Sequence, residues 1–170
     1  MDNLNFTPRD YQKTISESCF KKNTLVVLPT GLGKTKIAIM ALSKRLRDYP
    51  NSKALFLTPT KPLANQIFNE ITESTSEKEI SLFTGKIPPS KRKELWKESR
   101  VIISTPQCIE NDLINNNLDL REVSTLVIDE AHRAVQEYSY TWIAKQYRKT
   151  SNFERLIGLT ASPGSDLKKY

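Results

Sequence analysis

The chain reads as an α/β sandwich built around a mostly parallel sheet, and three features of the sequence predict it. Short, apolar, β-branched runs recur at TLVVL (24–28), KALFLT (53–58), EISLF (79–83), RVIIST (100–105), STLVID (124–129) and RLIGLT (155–160), the pattern of strands covered on both faces. Between them, apolar residues return at helical spacing, as in Leu63, Ala64, Ile67 and Ile71, or Tyr140, Ile143, Ala144 and Tyr147, which collects them on one face. The first run also passes through a glycine-bearing turn into a helical stretch, TLVVLPTGLGKTKIAIM. Strand and helix in alternation imply parallel neighbours, with ligands gathered at the carboxyl ends of the strands.

The loops after the strands therefore carry the chemistry. After the first run, Gly31 and Gly33 let the backbone turn its amides inward, and a helix starting at Gly33 or Lys34 adds its positive end. Lys34 would reach the β and γ phosphates of a nucleoside triphosphate and Thr35 would offer its hydroxyl to Mg²⁺. The usual pattern has a further glycine where this chain has Leu28; Pro29 and Thr30 can make the first bend in its place. After the fifth run, Asp129 and Glu130 stand side by side at the same sheet edge, suited to Mg²⁺ binding and to orienting a water respectively. Taken alone, DEAHRA is equally an acidic helix start.

Between the third and fourth runs, KIPPSKRKELWKESR (86–100) mixes charges of both signs and reads as a solvated helix, with Lys91, Arg92 and Lys93 as a lesser candidate for phosphate-backbone contact. His132, the single histidine, excludes a multi-histidine metal site and a Ser/His/Asp triad built with it. It serves either a structural role or a link from the two acids to the next strand end.

Composition narrows the class further. The 170 residues suit one domain of ordinary size, and 26 Lys and Arg against 19 Asp and Glu give a net charge of +7, which favours a polyanionic partner such as nucleic acid. Cys19 and Cys108 show no C-x-x-C spacing, so neither a disulfide framework nor a zinc site is expected, in keeping with a reducing cytoplasmic or nuclear setting. The chain is expected to be soluble and not secreted, because no apolar run approaches a bilayer span. There is no internal repeat or low-complexity tract.

RDYQ (9–12), PTGLGKT (29–35), TPTKPLANQ (58–66), STPQ (104–107), DEAH (129–132) and LTASP (159–163) occur in the order of the superfamily 2 helicases. The longer stretches STPQCIENDL, VIDEAHRAVQEYSYTWIAKQY and IGLTASPGS resemble the Hef and FANCM group, DNA translocases that remodel forks and branched junctions. The resemblance implies a RecA-like three-layer sandwich in which Gln12 reads the adenine edge, with Arg9 and Tyr11 shaping that pocket. Pro29, Thr30, Gly31, Leu32, Gly33, Lys34 and Thr35 cradle phosphates and Mg²⁺, and Asp129 and Glu130 take the metal and water roles. It also assigns a nucleic-acid backbone to Thr60, Lys61 and Pro62, to Thr84 and Gly85, and to Thr105, Pro106 and Gln107. Without it these are ordinary turn and cap residues.

Thr160, Ala161 and Ser162, with His132, would couple hydrolysis to strand movement, although a small polar cluster can simply cap a strand. Motors of this group have two such domains, the second bringing arginines to the γ-phosphate, and the 170 residues match the first. The expected function is thus the ATP-binding half of a DNA helicase or translocase, completed by a second RecA-like domain. The alternatives are a module that uses ATP as a clamp on RNA or DNA, and a small-molecule kinase, which would need an arginine-rich lid.

Overall fold

The structure, a computed structural model, describes residues 4–135 and 138–161. In chain order it holds α1 (Asp10–Lys21), β1 (Thr24–Val27), α2 (Lys34–Asp48), β2 (Lys53–Leu57), α3 (Lys61–Ser74), β3 (Ile80–Phe83), α4 (Pro89–Glu98), β4 (Val101–Ser104), α5 (Pro106–Ile114), β5 (Val123–Asp129), α6 (Tyr138–Thr150) and β6 (Leu156–Thr160). All six predicted strands are present, within a residue or so of the expected bounds. The strands form one sheet in the order β1-β6-β5-β2-β4-β3, and all five pairings are parallel.

The parallel register follows from a helix between every two successive strands, which returns the chain to the same sheet edge each time. Alternation along each strand then divides the core in two. Val26, Phe56, Ile103, Val127 and Leu159 pack with Ile37, Ile39 and Leu42 of α2, Cys19 of α1 and Ile67 and Ile71 of α3. Leu55, Leu57, Ile102, Leu126 and Ile128 pack on the other face with Trp96 of α4, Ile109 of α5 and Tyr140, Ile143 and Tyr147 of α6. The result is the expected three-layer sandwich.

Helix starts follow local chemistry. Thr60 caps α3 by accepting from the Leu63 N–H, and Pro62 occupies its first turn. Pro89 and Pro106 open α4 and α5 in the same way. The Tyr147 hydroxyl donates to the Val123 carbonyl and accepts from the Arg155 N–H, both at 3.0 Å, tying α6 to the ends of β5 and β6.

The expectation of a merely solvated helix over the charged run needs correction. The helix forms, and Lys91 and Lys93 are exposed, but Arg92 is buried and makes a bidentate pair with Asp112 of α5, Nε to Oδ2 at 2.8 Å and Nη2 to Oδ1 at 2.7 Å. Trp96 is buried beside it and donates to Glu122 at 2.8 Å. Sequence spacing alone does not reveal this, because the acid that neutralises Arg92 lies 20 residues away. Side chains of Arg92 and Asp112 keep only 5% and 1% exposure, so deleting one partner strands a buried charge. Asp112→Ala is expected to lose about 3–5 kcal/mol of stability in urea denaturation, with the double variant Arg92→Met/Asp112→Leu recovering much of it.

Candidate nucleotide site and nucleic-acid edge

Because the strands are parallel, every loop singled out in the sequence emerges at one sheet edge. The loop between β1 and α2 begins with a turn in which the Leu32 N–H faces the Pro29 carbonyl at 3.4 Å, so Pro29 and Thr30 do make the first bend. Gly31 and Gly33 take φ of 90° and 76°, a region costly for residues with a Cβ. Gly33 is doubly constrained, since a Cβ there would overlap Nε2 of Gln12. Gly33 also caps α2, so the loop amides and the helix dipole converge. The Lys34 ammonium donates to the Leu28 carbonyl at 3.2 Å, which holds it across the loop.

Thr30, Gly31, Gly33, Lys34 and Thr35 line a cavity of about 740 Å³ together with Asp129, Glu130, His132, Thr160 and Ala161. Burial pushes the Asp129 carboxyl above the ordinary aspartate range and the Glu130 charge adds to this. The Glu130 N–H, the Thr58 hydroxyl and Lys34 act against it. The first donates to Oδ1 at 3.0 Å and the second to Oδ2 at 3.2 Å. Glu130 has φ of 52°, and its carboxylate pairs with Arg133. His132 Nδ1 lies 2.9 Å from the Thr160 hydroxyl, which itself donates to the Ala161 carbonyl at 3.0 Å. Both contacts are met at once when Nδ1 carries the proton.

Mg²⁺ fits this donor set. It favours hard oxygens, keeps several waters and needs few carboxylates, and the Thr35 hydroxyl and the Asp129 carboxylate share the cavity with Lys34. Among the described residues no group of three or more His, Cys, Asp or Glu is arranged to hold a metal by protein ligands alone.

Not every expected residue joins this cavity. Gln12 is buried, with Oε1 accepting the Arg9 N–H at 2.9 Å and the amide against Gly33. Neither it nor Arg9 belongs to the lining. Tyr11 donates to the Leu32 carbonyl at 2.6 Å, so this stretch braces the phosphate loop. Thr60, Lys61, Pro62, Gly85 and Gln107 are exposed at the carboxyl ends of β2, β3 and β4, and Thr84 is half-buried. Thr105 and Pro106 are buried, the Thr105 hydroxyl turned to Cys108 Sγ at 3.6 Å. Ser162 lies outside the described residues.

The strand order gives this edge its meaning. β1, β6 and β5 are neighbours and their loops carry the cavity's glycines, Lys34, acids and Thr160, whereas β2, β4 and β3 are neighbours and carry the exposed loops, with α3 after β2 also walling the cavity. Thr58 closes the seam between the halves through its hydrogen bond to Asp129.

Residues 9–170 match the family described as DEAD/DEAH box helicase. The chain belongs to that family. A protein of Methanocaldococcus jannaschii, provisionally named an ATP-dependent RNA helicase, is 42% identical over 163 residues, covering 95% of this chain and 20% of its own. The DEAD-box ATP-dependent DNA helicase Fancm of Drosophila melanogaster is 39% identical over 171 residues, covering 96% and 11%. The crystal structure of the Pyrococcus furiosus Hef helicase domain matches with a TM-score of 0.93 and 44% identity, over 98% of this chain and 36% of that one. The resemblance to Hef and FANCM therefore holds, and the chain spans a fifth or less of these two curated relatives.

Local sequence patterns do not single out two further contributions to this cavity. Gln66, Asn69, Glu70 and Glu73 of α3 form one wall of the cavity, and burial raises the Glu70 carboxyl above its ordinary range. Their spacing of three, four and seven along α3 is the signal that could find them, and Gln66 also ends the TPTKPLANQ stretch. Thr58 ends an apolar run and opens the TPTKPLANQ stretch, but its bond to Asp129 belongs to two positions 71 residues apart. No helix among the described residues is long and apolar enough to cross a membrane.

Asp129 supplies a test. Its folded pKa lies above the unfolded one, so between those values the native state holds more protons and stability falls as pH rises. Above that window the buried charge remains a penalty. Asp129→Asn is therefore expected to raise the melting temperature of the nucleotide-free domain at pH 7, with a gain that shrinks on acidification, while weakening Mg²⁺-dependent ATP binding. Scanning calorimetry across pH 4–8 and isothermal titration check the two arms.

Proposed function

We propose that this chain is the ATP-binding first motor domain of a DNA helicase or translocase acting on forked or branched DNA. What supports the reading most is the seam at Thr58 and Asp129: the acid suited to Mg²⁺ is hydrogen-bonded to the end of the strand that leads into Thr60 and Lys61. A change at the phosphates thereby has a short physical route to the exposed edge. Hydroxyls, backbone amides and a lysine there suit a phosphate backbone and read no bases.

ATP with Mg²⁺ would sit in the cavity, the metal supplying charge neutralisation between the β and γ phosphates. Lys34 would leave the Leu28 carbonyl to meet them, Thr35 and Asp129 would hold the metal, partly through water, and Glu130 would orient the attacking water. His132 and Thr160 would relay the occupied state along the edge. Gln12 would face adenine after giving up Arg9, or act through the loop it braces. Among the described residues no arginine lines the cavity, which favours a partner RecA-like domain supplying that charge. The name of Fancm, a DNA helicase, favours DNA and that of the Methanocaldococcus relative RNA, while the forked or branched substrate rests on the resemblance to the Hef and FANCM group alone.

Lys34→Ala is expected to abolish most ATP and ADP affinity in calorimetric titration, since Lys34 is the loop's cation. Equal affinity of both variants refutes the nucleotide site. Binding of single-stranded DNA, followed by fluorescence anisotropy, should be weak with a salt slope of roughly −2, matching about three phosphate contacts. Affinity that survives molar salt points to another surface.

The isolated domain is expected to hydrolyse ATP barely above background, because a missing arginine is typically worth about 10³ to 10⁵ in rate, or roughly 4–7 kcal/mol. Glu130→Gln should then cost far less in the isolated domain than in the full-length protein. Brisk phosphate release by the domain alone, lost in Glu130→Gln, would show that the catalytic unit is already complete.

A further inference from the structure

Arg133 stands directly behind the proposed water-orienting acid. Its Nε lies 2.9 Å from Oε2 of Glu130, and its backbone N–H donates to the Glu130 carbonyl at 2.9 Å. The 3-10 turn Ala131–Val135 thus folds Arg133 back on Glu130 through main chain and side chain together. Glu130 lines the cavity beside Lys34 and Asp129, whereas Arg133 is not part of the lining.

The backbone is committed to the same end. Glu130 sits at φ 52° with its N–H on Oδ1 of Asp129, a conformation that persists only where the surroundings impose it. Backbone strain aims the side chain, and the guanidinium then restricts its rotamers. The guanidinium approaches through Nε, 2.9 Å from Oε2. Among the described residues no other protein group binds the Glu130 carboxylate, so Oε1 is available to a water. With exposures of 44% and 32%, an isolated ion pair of this kind adds little to stability, and fold maintenance does not account for it.

We propose that Arg133 is a positioning residue: it holds one oxygen of Glu130 so that the other meets the attacking water, and does not itself touch nucleotide. The proposal rests on the functional reading above. In the full-length protein, with saturating ATP, Mg²⁺ and DNA, Arg133→Ala is expected to lower kcat for phosphate release about tenfold or more, as misplacement of a reacting group does. KM for ATP should stay within about twofold. Arg133→Lys should recover part of the rate, since an ammonium keeps the positive charge near that oxygen without the rigid, planar guanidinium. In a Glu130→Gln background Arg133→Ala should change nothing further, because the two act as one unit. Arg133→Gln carries the same test if the alanine variant does not fold.

A readout independent of turnover is the side-chain carboxyl carbon resonance of Glu130 in the nucleotide-free domain, which is expected to shift in Arg133→Ala because the cation 2.9 Å from Oε2 is gone. Overturning results are unchanged or faster release by Arg133→Ala, loss of ATP affinity as its main effect, an undiminished effect in the Glu130→Gln background, or a Glu130 carboxyl resonance that Arg133→Ala leaves unmoved. If Glu130→Gln itself leaves phosphate release untouched, the functional reading fails first and takes this proposal with it.

Discussion

Parallel pairing of all six strands is the constraint on which this domain depends. In an antiparallel sheet alternate loops would leave by opposite edges, and the phosphate loop, the acidic pair and the exposed threonine-bearing loops could not meet. Here each return helix brings the chain back to the same edge, so residues from positions 28 to 161 share one surface. The strand order then sorts them, with cavity loops on β1, β6 and β5 and exposed loops on β2, β4 and β3.

Asp129 lies at the junction of those two groups and bears the electrostatic burden of the site. Its carboxylate is partly withdrawn from water next to another acid, an arrangement that costs stability until a cation arrives. Mg²⁺ binding would relieve that cost, which is how a site spends stability to gain affinity for a charged ligand. The hydrogen bonds from Thr58 and from the Glu130 N–H keep the carboxylate oriented meanwhile. Where the usual phosphate-loop pattern has a further glycine, the turn at Pro29–Leu32 supplies the bend and the Leu28 carbonyl holds Lys34.

Charge is also used far from the site. Arg92 and Asp112 fasten α4 to α5, and Arg45, nearly fully buried, donates to the Ser124 carbonyl at 2.8 Å and 3.1 Å. Two of the arginines behind the basic composition thus serve the interior. The part of the net charge free to face a polyanion is correspondingly smaller than a count of residues suggests, and it includes exposed Lys61 at the candidate nucleic-acid edge.

The sequence by itself determined the strands, the parallel fold and the phosphate loop with its acids, because each is written in local spacing: β-branched runs, helical periodicity, glycines before a lysine, two acids ending a strand. The motif order added the family. What only tertiary structure decided are pairings between distant positions. Arg92 found Asp112 and went inside; Thr58 met Asp129 across the seam; the polar stripe of α3 became a cavity wall; Thr105 turned to the core; and Gln12 was taken up by the Arg9 N–H and the phosphate loop. The physical reason is that burial and hydrogen-bond partnership belong to a pair of positions in space, whereas periodicity and turn chemistry belong to neighbours along the chain.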